Sequence, residues 1–298
     1  MNEIEYHKQA VIITAYHNFN QLAVLANMLS KVFEVYIHID KRVSIEEWKY
    51  SNLRCAKHIK VFSLYNVNWG GCNHLKAILH LMDIALKNKD IMYFHIISGE
   101  DWPTKNVKEI YNRFIAEDKI YLEVRRMDEM KKMECLYISK WQKYYSFLDV
   151  FDYKKIPQKI FVKGLVFFQR IVGIDRFKKL DIELARGVIW GELPRNAVSY
   201  CLEYLYENPQ FMNFLEYGHA SEEFFFHSIL SNSAEWKRKI ANNNLRYVEY
   251  ERRNGSYPAI LDMKDFEKIK TGNYYFARKI TMPISEDLVV ALNEQNGN

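Results

Sequence analysis

Apolar residues along this chain fall into short unbroken runs, separated by segments in which they recur every three or four positions. Ala10 to Ala15 (AVIITA), Phe33 to Ile39 (FEVYIHI) and Ile59 to Leu64 (IKVFSL) have the length and β-branched content of strands. After the first run the spacing Leu22, Leu25, Ala26, Leu29 is helical, which makes one β-α step. The longest run, Ile91 to Pro103 (IMYFHIISGEDWP), reads as a buried strand that stops at a polar tip. In open α/β sheets the ligand sits beyond the carboxyl ends of such strands, so Glu100 and Asp101 would stand at the mouth of a site. A polar turn that merely leaves the sheet is the even alternative.

Around that run, Val67 to Gly71 (VNWGG) predicts a turn whose glycines permit close approach of backbone. Helices follow with Leu75, Ile78, Leu79 and Met82, and later Val107, Ile110, Tyr111 and Phe114, on one face. Strands alternating with helices through residue 116 predict an α/β fold, a mostly parallel central sheet covered by helices on both faces. Beyond it, Val188 to Leu193 predicts another strand and Pro194 the start of a helix carrying Val198, Cys201, Leu202 and Leu205. Ser221 is the expected N-cap of a helix with Glu222 and Glu223 in its first turn and Phe225 and Phe226 as its anchor.

Between these regular parts, residues 117–186 mix Lys and Arg with aromatics. Ile160, Gly164, Phe167, Phe168 and Ile171 share one helical stripe, flanked by Lys155, Lys159, Lys163, Arg170, Lys178 and Lys179. One reading is an amphipathic helix at 154–179 resting on an anionic membrane. The commoner reading packs the stripe on the sheet and leaves the lysines in solvent.

Composition changes this picture little. The chain has 298 residues, 49% of them hydrophobic, enough for a sizeable core, and a formal charge of +5. That mild excess suits an anionic small ligand better than wrapped nucleic acid. An RNA-binding protein remains the rival class, on the strength of the Trp and Tyr residues between Lys140 and Tyr145. Four scattered cysteines, Cys55, Cys72, Cys135 and Cys201, form no C-x-x-C pair. With no apolar core at the amino terminus and no run long enough to span a bilayer, a cytoplasmic setting is expected.

Candidate chemistry is carried by acids and cations. Glu223 precedes a triple Phe, and a dry wall behind a carboxylate raises its pKa and improves it as a general base. The alternative is a glutamate that only complements the helix dipole. Arg252-Arg253 and Arg278-Lys279 could neutralise a leaving diphosphate without metal, or could be solvated surface charge. No H-E-x-x-H, Walker loop, G-x-G-x-x-G or D-x-D occurs, so metal and Rossmann cofactor readings lose their support.

Six segments together resemble the core-2/I-branching family of glycosyltransferases, which includes β-1,6-N-acetylglucosaminyltransferases and peptide O-xylosyltransferases. They are Ile37 to Arg42 (IHIDKR), Trp69-Gly70-Gly71, Ser98 to Pro103 (SGEDWP), Glu223 to Ser228 (EFFFHS), Asn243 to Arg246 (NNLR) and Phe276 to Lys279 (FARK), in the family's order. The resemblance implies a GT-A-like single domain over 1–298, with a nucleotide-sugar-binding half at 1–116 and an acceptor and catalytic half at 187–298. It implies an inverting, metal-independent transfer from a UDP-sugar to a glycan acceptor, with no cofactor. Asp40 and Arg42 match positions at the uridine, Trp69, Gly70 and Gly71 lie on the donor side, and Asp101 matches the acidic position at the sugar. Glu223 matches the catalytic base and Lys279, next to Arg278, the lysine at the diphosphate. Arg252 matches its partnering arginine, with Arg253 as the register alternative. Glu100, Trp190 and Glu222 are expected on the acceptor side. Arg186 to Trp190 (RGVIW) departs from the xylosyltransferase-like G-G-S-x-W pattern, so donor and acceptor do not carry over. The chain looks like a bacterial member acting on surface polysaccharide, a lipid-linked acceptor being one expectation, without nucleic acid; the alternative within the resemblance is a catalytically inactive relative that binds UDP-sugar.

Overall fold

A computed structural model describes residues 7–46, 53, 57–127, 129–130, 141–145, 147–151 and 155–298. The early apolar runs form the centre of a five-stranded sheet in the order β3-β2-β1-β4-β8. Here β1 is Lys8–Ala15, β2 Glu34–Ile39, β3 Ile59–Phe62, β4 Ile91–Ser98 and β8 Gly191–Pro194. β1 runs parallel to β2 and β4, and β2 parallel to β3, while β8 closes the edge antiparallel to β4. The runs are continuous rather than alternating because both faces are covered: Val11 and Ile13 enter one apolar cluster, Ala10 and Ile12 the other, all fully buried. Helix Phe19–Leu29 seals the first face, and helices Asn73–Leu86 and Phe225–Asn232 the second.

A second sheet, β5-β10-β9, stands beside the carboxyl ends of the first. β5 (Asp101–Pro103) pairs antiparallel with β10 (Phe276–Arg278), and β10 runs parallel to β9 (Arg246–Val248). A two-stranded ladder joins β6 (Arg125–Arg126) to β7 (Ala185–Arg186). Each sheet is therefore completed by strands distant in the chain, β8 beside β4 in the first and β5 beside β10 in the second.

Local expectations need three corrections. The expected strand Val188 to Leu193 is displaced to Gly191–Pro194, with Pro194 as the N-cap residue of helix Arg195–Glu207. Ser221 caps nothing: its hydroxyl donates to the Leu215 carbonyl, and a 3-10 turn Ser221–Glu223, entered through Ala220 at φ 54, precedes helix Phe225–Asn232. The stripe on helix Ile156–Ile171 is not packed on the sheet. Ile160, Phe167, Phe168 and Ile171 are 60–68% exposed, while Val162 and Val166 are buried against Tyr145 and Leu148.

Lys140, Lys154, Cys55 and Cys135 lie outside the described residues. Cys72 and Cys201 are buried free thiols. Among the described residues no helix is long and apolar enough to cross a membrane.

Candidate active site

The ends of three parallel strands open into one cleft of about 260 Å³. Thr14 and Ala15 come from the end of β1, His38 and Asp40 from the end of β2, and Ser98 from the end of β4. This is where an open α/β sheet leaves backbone groups and loops free to meet a ligand.

On one side the rim is clamped by Asp40 and Arg42. The Arg42 guanidinium forks onto the carboxylate, with Nη2 2.6 Å from Oδ2 and Nε 3.1 Å from Oδ1, while Nη1 donates to Asn68 and Nη2 also to the Val67 carbonyl. Burial alone would raise the Asp40 pKa, but the bonds from Arg42 outweigh it and hold the carboxyl below its ordinary value. The clamp therefore fixes the loop that presents Trp69, which is 60% exposed. Beneath the clamp, the His38 Nε2 accepts from the Leu64 and Tyr65 amides, and burial lowers its pKa to about 4, so the ring is neutral.

The two glycines after Trp69 have distinct structural reasons. Gly70 has φ +79, and a Cβ there would lie 3.0 Å from His219 Nε2. At Gly71 a Cβ would lie 2.2 Å from Asp149 Oδ1. Asp149 accepts from the amides of Cys72, at 3.1 Å, and Asn73, at 2.9 Å, so a carboxylate occupies the start of helix Asn73–Leu86.

The opposite side of the cleft belongs to Glu100, Arg278 and Trp190. Arg278 stacks on Trp190, its guanidinium carbon 4.4 Å from the ring centre, and Nη1 is buried without a hydrogen-bond partner. Glu100 faces His17 at 3.4 Å and Lys279 at 3.9 Å. Burial would push its carboxyl up, but His17, Lys279 and Arg278 bring it below the ordinary range. Asp101 is fully buried and does not line the cleft: its Oδ2 accepts from the Ser98 amide and hydroxyl, locking the turn that presents Glu100, and lies 3.7 Å from Arg278 Nη1.

Lys279 Nζ reaches Ser256 Oγ at 3.5 Å, so the loop after β9 stands next to it. On that loop the two arginines separate. Arg253 is held by Glu251 at 2.8 Å, Asp262 at 2.9 Å and Asp265 at 2.6 Å, whereas Arg252 is exposed. Arg253 thus ties the loop down, and Arg252 carries the charge open to solvent.

At the end of the cleft nearest Trp190 the two adjacent glutamates divide. Glu222 lines the cleft and pairs with His74 Nδ1 at 3.3 Å, while His74 Nε2 meets the Thr14 hydroxyl at 3.1 Å. Burial would raise the Glu222 pKa, but His74 outweighs it and keeps the group ionised. Glu223 is not a lining residue. Its Oε2 accepts from Arg186 Nε at 2.7 Å and from Nη2, and Arg186 lies over the Trp141 ring. Here burial dominates, against Arg186 and reinforced by Glu222, and lifts the Glu223 pKa to about 7. The two neighbouring carboxylates are thus shifted in opposite directions.

Sequence reasoning missed Thr14, Tyr16, His38, Asn68 and His74 at the cleft. His74 stands in no motif, and only the fold brings it to Glu222. Among the described residues no three His, Cys, Asp or Glu side chains are grouped to hold a metal ion.

A mostly parallel α/β sheet with its cleft at the strand ends and a second small sheet across it is the GT-A-like architecture of glycosyltransferases. Residues 11–270 match the model of the Core-2/I-Branching enzyme family, and the chain belongs to that family. Two β-glucuronosyltransferases of Arabidopsis thaliana are similar over part of the chain. GlcAT14A is 29% identical over 102 residues, 33% of this chain and 22% of its own, and GlcAT14B is 28% identical over 90 residues, 30% of this chain and 18% of its own. The match spans about a fifth of the length of these curated relatives.

Proposed function

We propose that the protein is an inverting, metal-independent glycosyltransferase that moves a sugar from a UDP-sugar to a hydroxyl of a glycan acceptor. The observation that supports this reading is the placement of Glu223, a carboxylate poised near neutrality, directly after the cleft-lining Glu222, with Arg278 on the cleft wall and Lys279 beside Glu100. Glu223 takes the acceptor hydroxyl's proton as its oxygen attacks the anomeric carbon from the face opposite UDP. The bond from that carbon to the diphosphate oxygen breaks, and the developing charge on UDP falls to Lys279 and Arg252. The Asp40-Arg42 clamp and Trp69 border the uridine, with Gly70 and Gly71 shaping that loop. Asp101 serves the sugar through the turn it locks and through Arg278. Glu100, Trp190 and Glu222 meet the acceptor and the sugar.

The donor reading includes GlcNAc, galactose and xylose. The activity of the Arabidopsis relatives adds glucuronic acid, and Arg278 on the cleft wall offers a cation to its carboxylate. The acceptor class carried forward is a surface polysaccharide held by lipid, supported by the exposed apolar and basic face of helix Ile156–Ile171.

Calorimetric titration with UDP, then GDP, in EDTA and again with Mg²⁺ tests the donor site. Micromolar UDP binding that ignores EDTA is expected. Binding of neither nucleotide, or binding only with metal, contradicts the reading.

A further inference from the structure

Helix Ile156–Ile171 is divided around its axis into three faces. At about 100° per residue, the exposed Ile156, Ile160, Phe161, Phe167, Phe168 and Ile171 span roughly 140° of its circumference. Lys159, Lys163 and Arg170 form a narrow band along one edge of that face. The remaining face holds Val162 and Val166, buried on Tyr145 and Leu148, and Gln169, whose amide bonds both the amide and the carbonyl of Tyr144 at 2.7 and 3.0 Å. The apolar face is therefore turned outward by contacts that fix the opposite side.

Charge selects its partner. From Lys155 to Ile174 the sequence contains four cations and no acid, so an anionic surface is complementary along the whole helix. Phe147 and Phe151 extend the apolar face, with ring centres 5.8 Å from Phe161, and Val150 beside them is 74% exposed. A water-soluble partner helix would need acidic knobs to match; an anionic bilayer takes the apolar arc into its headgroup boundary and the band of cations onto its phosphates in one placement.

The helix is also wired to the cleft. Tyr145, on which it packs, meets the His219 ring at 5.2 Å, His219 meets Trp69 at 5.1 Å, and Asp149 of the same loop holds the first turn of helix Asn73–Leu86.

We propose that helix Ile156–Ile171 is a membrane-docking element that seats the protein on anionic lipid with the Trp69 side of the cleft beside the bilayer. The docking rests on the proposed function only for what it delivers, a lipid-borne acceptor; the lipid contact itself does not require UDP chemistry.

Co-sedimentation of the full chain with phosphatidylcholine vesicles, with and without phosphatidylglycerol, tests it, alongside UDP titration of the same preparations. Salt-sensitive binding to the anionic vesicles alone is expected. At roughly fivefold per interfacial cation, Lys159→Glu with Lys163→Glu should weaken it at least tenfold, as should Phe167→Ser with Phe168→Ser, with UDP affinity unchanged. No vesicle binding at low salt, or binding unaltered in both double variants, overturns the proposal. So does a wild-type dimer that the Phe pair converts to monomer without any lipid binding, because the face is then covered by a second copy. Vesicle binding without UDP binding would leave the docking standing and sink the donor reading instead.

Discussion

The Arg278 guanidinium lies over Trp190, 4.4 Å from its carbon to the ring centre, which joins the last strand of the small sheet to the approach of β8 in the large one. Two elements far apart in sequence thus hold one cation at the cleft, with its Nη1 3.7 Å from the Asp101 carboxylate. Stacking leaves the edge donors of a guanidinium free for an oxyanion while the ring fixes its plane.

That arrangement predicts a graded response at Trp190. Cation-π contacts contribute about 0.5–2 kcal/mol, so Trp190→Ala should weaken UDP-sugar binding by roughly two- to thirtyfold. Trp190→Phe should retain most of the affinity, since a face remains for Arg278. Calorimetry on the two variants checks this, and an unaltered affinity in Trp190→Ala would show that the stack does not position Arg278 for the donor.

As the proposed base, Glu223 should set the pH dependence of transfer. A base must be ionised to accept a proton, and the Glu223 pKa stands near 7. Activity should therefore fall as pH drops through about 7, with kcat/KM declining tenfold per unit below it. Arg186 pulls this pKa down, so Arg186→Ala should move the acid limb of the profile to higher pH rather than simply lower its plateau. Glu223→Gln should keep UDP binding and lose transfer by roughly a hundredfold or more. Turnover retained in that variant removes Glu223 from the role.

The strands and their ends were legible in the sequence because burial on both faces leaves unbroken apolar runs, as in Val11 to Ile13 and Tyr93 to Ile97. The acids and cations at those ends were legible for the same reason. What escaped was anything decided by partners distant in the chain. Ser221 had the chemistry of a cap, but the Leu215 carbonyl claimed its hydroxyl. Arg252 and Arg253 are indistinguishable by type, and only Glu251, Asp262 and Asp265 tell them apart. His74 gave no local signal because its partners, Thr14 and Glu222, are 60 and 148 residues away.

Two glycines should respond in opposite directions. Gly71→Ala forces a methyl into the Asp149 carboxylate, which is clamped by two amides, and should cost on the order of 1–3 kcal/mol. Asp149→Ala alone loses those bonds, yet the double variant should be less destabilised than the two costs added, since the clash is gone. Gly164, in the middle of helix Ile156–Ile171, has nothing within 4 Å of its Cβ position, so Gly164→Ala should stabilise by about 0.5–1 kcal/mol. Urea midpoints measure all four proteins. Equal behaviour of Gly71→Ala and Gly164→Ala would refute the steric account.

Beneath the cleft, Glu192 on β8 faces His95 on β4 in register, with Arg246 Nη1 3.0 Å from its Oε1, and all three side chains are fully buried. Burial would raise the Glu192 pKa, but Arg246 and then His95 outweigh it and hold the group below its ordinary value. A carboxylate lowered by folding contributes stability that is present above its unfolded pKa and is lost as pH falls through the folded one. Glu192→Gln preserves shape but leaves Arg246 without its counter-charge, and breaking a buried pair in this way costs about 3–5 kcal/mol. The gap in urea midpoint between wild type and Glu192→Gln should therefore be widest at neutral pH. It should narrow on acidification below the ordinary carboxylate range, as the wild type begins to lose the contribution that the variant lacks. A gap of constant size across that window would mean that folding leaves the Glu192 pKa unshifted, and a gap that changes in the wild type's favour on acidification would mean that Glu192 is protonated in the folded protein, with Arg246 held by the Ile96 and Asn244 carbonyls to which it also donates.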